Sequence, residues 1–166
     1  MSLLERLKSA SAADHARAIF LLIFGTILGA WIFEYFGIAP CDLCLKQRIA
    51  YYVGVPLAAL TFLVLKTAPR FANVFFWALA LVFVGSAIFG AYHSGVEWGF
   101  WPGPEGCTGA LKPAASTDDF LKALANTKVV RCDAVAIRIF GLSLAGWNAV
   151  ISAFVVWLSA RATTRV

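Results

Sequence analysis

"FANVFFWALALVFVGSAIFGAY", Phe71 to Tyr92, is a run of 22 residues without one charged side chain. A bilayer's hydrocarbon core of ~30 Å takes about 20 helical residues. Three more runs read the same way: Ala18–Phe36 (19 residues), Ile49–Leu65 (17) and Ile139–Ala160 (22). All four are apolar nearly all round, as spans are and as surface helices of a soluble bundle are not. The second run is short, so its helix is expected to begin earlier, near Cys44. Pro56 lies inside it, which lipid-embedded helices tolerate because neighbours satisfy the freed carbonyl.

The whole composition agrees. Hydrophobic residues make up 61% of the 166-residue chain and charged ones 14%, against roughly 25% charged in an average soluble domain. Mean hydropathy is +0.79. A soluble protein of this size has no interior large enough for that apolar surface. The formal charge of +5 is scattered rather than gathered on one face, which argues against nucleic acid as a partner. Phosphate-binding glycine motifs and an HExxH zinc motif are absent. The expected fold is all-α: one membrane domain over residues 1–166, a four-helix bundle in contact with lipid. The first run exceeds the apolar part of a signal peptide and three more spans follow it, so an uncleaved helix is expected.

Lys and Arg set the orientation. The N-terminal tail, Lys66–Arg70 and the tail from Arg161 hold seven in 28 residues; Gly37–Arg48 and His93–Arg138 hold seven in 58. The positive-inside rule makes the denser set cytoplasmic. Both termini are then cytoplasmic, and the loops at about 37–48 and 93–138 face the other side.

Every cysteine lies in those two loops: Cys41 and Cys44 in the first, Cys107 and Cys132 in the second. On a periplasmic face thiols tend to be oxidised. Two structural disulfides are one reading. For Cys41 and Cys44 it is weak, because a bridge across two residues closes almost no loop and removes little unfolded-state entropy. A working redox couple suits that spacing better. A four-cysteine metal site would want a second close-spaced pair, and 107 and 132 are 25 apart, so no metal is expected. If a helix starts just after Pro40, Cys41, Cys44 and Arg48 share one helical face. The helix N-terminus and the guanidinium then favour thiolate. Arg48 has two readings: an interfacial anchor paired with Glu34 or Asp42, or a planar fork that donates to a carbonyl of a bound electron acceptor.

The second loop is too long to be a mere connector. Trp98, Phe100 and Trp101 suit an interfacial belt. The prolines and glycines of "WPGPEGC" leave Cys107 on an irregular segment, expected to be exposed and open to another protein. "STDDFLKALAN", Ser116–Asn126, reads as a short capped helix, on the membrane surface or packed against the spans. His93 ends the third span on the cysteine side and is a candidate proton relay.

Four spans, "CDLC" followed by Arg48, and Cys107 and Cys132 in a long second loop together resemble the disulfide bond formation protein B (DsbB) family, bacterial inner-membrane thiol oxidases. The likeness covers Arg17 to Ala160. It implies that Cys41 and Cys44 form the disulfide that passes electrons to a quinone (ubiquinone or menaquinone), with Arg48 beside it and His93 near. It implies that Cys107 is attacked by a reduced, soluble, DsbA-like periplasmic protein, and that Cys132 is its pairing cysteine. Some relatives serve one dedicated substrate, and "WPGPEGC" and "AAST" are not motifs of the best-known members. A non-enzymatic scaffold with two structural disulfides is the alternative from another class. A transporter of reducing electrons would want cysteines within the spans, and there are none.

Overall fold

A computed structural model of the chain describes residues 10–104, 107 and 130–166. It contains four long helices: α1 (Ala12–Tyr35), α2 (Asp42–Thr67), α3 (Ala72–Glu97) and α4 (Leu144–Thr163). A 3-10 turn, Pro69–Phe71, joins α2 to α3. A two-stranded antiparallel hairpin, β1 (Arg138–Ile139) and β2 (Leu142–Ser143), leads into α4. Each helix is long and apolar enough to cross a membrane. The helix expected over Ser116–Asn126 falls outside the described residues.

The helix starts follow from local chemistry. Ser11 caps α1 in a capping box with Asp14, which satisfies two amides that the first turn leaves without partners. α1 therefore begins before its apolar run does. α2 begins at Asp42, with Cys41 as its cap, earlier than Ile49, as its shortness required. α4 begins later than its apolar run. Phe140 and Gly141 take positive φ and turn the chain, and the Ser143 side chain then accepts from Gly146 N–H to start the helix.

The helices run alternately up and down, and α3 packs most extensively on α4. The core at the chain-terminal end holds Ile19, Ile23, Phe76, Leu79, Phe83 and Val155. A Cβ on Gly90 would stand 2.9 Å from the α4 backbone, so this glycine lets α3 and α4 touch. A buried polar knot ties three helices: Tyr51 Oη donates to Asn148 Oδ1 at 2.6 Å, and Ser152 Oγ to Ser86 Oγ at 2.9 Å. Such bonds suit a medium without water.

Outward faces are apolar. Leu21 (67% exposed), Leu81 (71%) and Ile88 (66%) point away from the bundle, which in water would be a large uncovered patch. Trp31, Tyr35, Trp98, Phe100 and Trp101 are exposed toward the cysteine end of the helices, where an interfacial aromatic belt belongs. Trp101 folds back over Gly95 and donates to the Tyr92 carbonyl at 2.9 Å.

Candidate functional site

Cys41 caps α2. Its Sγ accepts from Cys44 N–H at 3.2 Å, and the two sulfurs lie 2.6 Å apart. Pro40 and the cap place the pair at the helix N-terminus, as the spacing predicts. The Cys44 thiol hydrogen bond, then the contacts from His93 and Cys44 N–H, hold the Cys41 thiol well below the usual thiol range, against the opposing effect of burial. Positive potential at a helix start acts in the same sense.

Cys107 and Cys132 form a disulfide. Both sulfur-bearing residues are buried, at 1% exposure each, in one cluster with Cys41 and Leu43. Cys44, Phe89 and Tyr92 pack against that cluster. The exposed Cys107 expected from its proline- and glycine-rich surroundings is therefore not found. Instead Cys107 itself packs against α2 and α3. Cys132 N–H donates to the Cys107 carbonyl at 3.0 Å, which fastens the two segments together.

His93 is buried between the two pairs. Its Nε2 lies 3.7 Å from Cys41 Sγ and 3.3 Å from the Cys132 carbonyl oxygen. Its Nδ1 accepts from the Gln47 amide at 2.8 Å. That bond places the ring proton on Nε2, where it faces both Cys41 and Cys132.

Arg48, one turn below Cys44, is bound on two sides. Nη1 donates to Glu34 Oε2 and Nη2 to the Ala30 carbonyl at 3.3 Å. Of the two partners considered in sequence, Glu34 is the one used; Asp42 pairs with Lys46 at 2.6 Å. Two of the five guanidinium donors are engaged in these bonds.

Cys44, Gln47 and Arg48 together line a cavity of about 460 Å3 between α1, α2 and α4. That is the size of a small-molecule site. The remaining wall is mostly apolar, with Ile27, Phe33, Leu144 and Ile151 among its members. A Cβ on Gly25 or Gly29 would meet nothing within 4 Å, so these glycines leave room rather than allow close packing. A flat apolar ring carrying carbonyl oxygens fits this lining. On the other side Cys44 also borders a pocket of about 30 Å3, shared with Cys41, His93 and Glu97.

The structure brings Cys41, Cys44, Cys107, Cys132 and His93 together, with Arg48 a turn away at the cavity. Sequence reasoning missed Gln47, Glu97, Tyr51 and Asn148. Their one signal was a polar side chain inside or beside an apolar run.

No curated protein and no solved structure matches the chain. The family model described as disulfide bond formation protein DsbB matches residues 15–162. That range holds nearly all of the four helices, both cysteine pairs, Arg48 and His93. The chain is a multi-pass membrane protein and belongs to the DsbB family of disulfide bond formation proteins.

Proposed function

We propose that this protein is a quinone-dependent thiol oxidase of the bacterial inner membrane, its cysteine loops in the periplasm and both termini in the cytoplasm. It reoxidises a soluble DsbA-like dithiol protein. The observation that carries the reading is the position of the Cys41–Cys44 pair. On one side it adjoins the Cys107–Cys132 disulfide, and on the other it opens, through Cys44, on an apolar cavity bordered by Arg48.

The chemistry is two exchanges and one transfer. A partner thiolate attacks Cys107 Sγ, the Cys107–Cys132 bond breaks and Cys132 leaves as thiolate. The partner's second thiolate then attacks its own sulfur in the mixed disulfide and frees Cys107. The Cys107/Cys132 dithiol next reduces the Cys41–Cys44 disulfide in the same manner and is itself reoxidised. A quinone bound in the cavity would supply the acceptor of two electrons and two protons that returns Cys41 and Cys44 to the disulfide. Arg48 would orient a carbonyl oxygen with its planar fork, and Glu34 holds that fork in place. With the Gln47 amide turned so that its oxygen accepts from Nδ1–H, His93 Nε2 takes the proton of Cys41 Sγ and later returns it; in the tautomer seen, Nε2–H stabilises the Cys41 thiolate.

Because Cys107 is buried, the partner's attack requires the segment around it to open. The test is quinone reduction by the purified protein, driven by a reduced periplasmic thiol protein. Activity lost on Cys44→Ser in a folded protein supports the reading. Turnover that survives Cys44→Ser overturns it and leaves a scaffold with two structural disulfides.

A further inference from the structure

Among the described residues, Cys41, Cys44 and His93 are the one set of three ligand-bearing side chains whose donor atoms all lie within 4.8 Å of one another. The donors are two sulfurs and an imidazole nitrogen, the set that thiophilic d10 cations prefer. Glu97 stands outside that set, its carboxylate more than 4.8 Å from at least one of the three donor atoms. Its Oε2 is buried and has no hydrogen-bond partner among the described residues, and it borders the same small pocket. The pocket's volume of about 30 Å3 is room for one ion or one water. The nearby Arg131 is paired with Asp133 at 2.6 Å, so its charge is already balanced.

We propose that the dithiol form of the protein binds one Zn2+ or Cd2+ through Cys41 Sγ, Cys44 Sγ and His93 Nε2, with the fourth position filled by water or by the Glu97 carboxylate after its side chain turns toward the ion, and that this ion holds the pair reduced and stops turnover. Binding changes no oxidation state: Cys41 is already thiolate at neutral pH, the Cys44 S–H bond breaks and releases one proton, the imidazole proton passes from Nε2 to Nδ1, and two metal–sulfur bonds form. Tetrahedral zinc with Zn–S of about 2.3 Å sets the sulfurs about 3.8 Å apart. The present 2.6 Å must therefore open, which the cap position of Cys41 permits without moving the helix. The disulfide form offers no thiolate and has no site, so binding reports the redox state. Gln47 serves both states. Its amide donates to Nδ1 while Nε2 carries the proton, and on rotation its oxygen accepts from Nδ1–H while Nε2 binds metal. Such outer partners of a ligating histidine are worth about 10–100-fold in metal affinity.

The experiment is a Cd2+ titration of the full chain in detergent, read by the ultraviolet thiolate-to-cadmium charge-transfer band. Cys107→Ser/Cys132→Ser removes the other two thiols, and circular dichroism reports whether it is folded. The reciprocal Cys41→Ser/Cys44→Ser variant, compared with wild type, gives the same answer by difference. The expected result is one Cd2+ per reduced chain with the intensity of two thiolates, and none per oxidised chain. His93→Ala and Gln47→Ala should each weaken binding at least ~10-fold. Absence of the band in the reduced protein, its survival in Cys44→Ser, unchanged affinity in His93→Ala, or equal binding by the oxidised chain each overturns the site. The inhibitory part rests on the thiol-oxidase reading. Zn2+ added to turning-over enzyme should stop quinone reduction and a chelator restore it; full activity with the site saturated overturns that part alone. The binding readout needs neither quinone nor partner, so failure of the site and failure of the oxidase reading are told apart.

Discussion

His93 Nε2 stands 3.7 Å from Cys41 Sγ, on a ring whose other nitrogen is held by Gln47 at 2.8 Å. One imidazole thus reaches the cysteine of one pair and, through the Cys132 carbonyl, the backbone of the other. His93→Ala should slow transfer between the pairs by about 100-fold, the lower end of the range for a positioned acid or base. Gln47→Ala should slow it less, because the ring remains but loses its fixed tautomer. Rapid-quench trapping of the reduced Cys41–Cys44 pair after reduction of Cys107–Cys132 measures this step. Equal rates in wild type and His93→Ala would reduce the histidine to packing.

The depressed Cys41 thiol gives a pH signature. A lowered pKa means that thiolate is fully present above it and is lost only as pH falls through it. Alkylation of Cys41 in the reduced protein should therefore change little between pH 6 and 8. An ordinary thiol of pKa ~8.5 gains about 75-fold in thiolate over that interval. Tandem mass spectrometry of the peptide separates Cys41 from Cys44. In Cys44→Ala, which removes the thiol hydrogen bond that does most to hold Cys41 down, the pH dependence should steepen toward the ordinary one.

Arg48 is held by Glu34 and the Ala30 carbonyl at the rim of the cavity. A charge-assisted hydrogen bond contributes about 1.5–3 kcal/mol. Arg48→Ala should accordingly slow quinone reduction by roughly one to two orders of magnitude, most clearly at limiting quinone. Arg48→Lys keeps the charge without the fork and should fall between. Glu34→Gln should raise the KM for quinone more than it lowers kcat. Normal turnover by Arg48→Ala at limiting quinone would leave Arg48 an interfacial anchor. Exchange with the partner protein should be unaffected in all three.

Removing Cys132 should leave a mixed disulfide at Cys107 without its local resolving thiol. In Cys132→Ser the Cys107 thiolate should attack a single-cysteine partner supplied as its mixed disulfide with a small thiol, releasing that thiol and leaving a covalent complex, visible on non-reducing gels and lost when Cys107→Ser is added. Trapping that survives Cys107→Ser would place the point of attack elsewhere.

The helices were legible because each apolar run is long and holds at most one charged residue, Glu34 in the first, and burial in lipid leaves no other use for such a run. The Cys41–Cys44–Arg48 face was legible because Pro40 fixed where α2 starts. The start of α4 was not, since hydropathy runs unbroken through Ile139–Leu144. The turn there depends on backbone angles at Phe140 and Gly141, for which one glycine was the only hint. The burial of Cys107 was hidden for a different reason. Proline and glycine announce irregular chain but say nothing of what packs over it. Gln47 and Glu97 read as isolated polar residues, and only the crossing of helices shows that they meet His93 and the cysteine pocket.

The most direct test of the proposed electron path is a bypass. In a folded Cys107→Ser/Cys132→Ser protein, a small dithiol such as dithiothreitol should still drive quinone reduction through Cys41 and Cys44, while the reduced partner protein should drive none. In Cys41→Ser/Cys44→Ser neither donor should reduce quinone, although one equivalent of partner is still oxidised at Cys107–Cys132. Quinone absorbance followed anaerobically with both donors reads all four cases. Partner-driven quinone reduction without Cys107 and Cys132, or any quinone reduction without Cys41 and Cys44, would contradict the order of the two pairs.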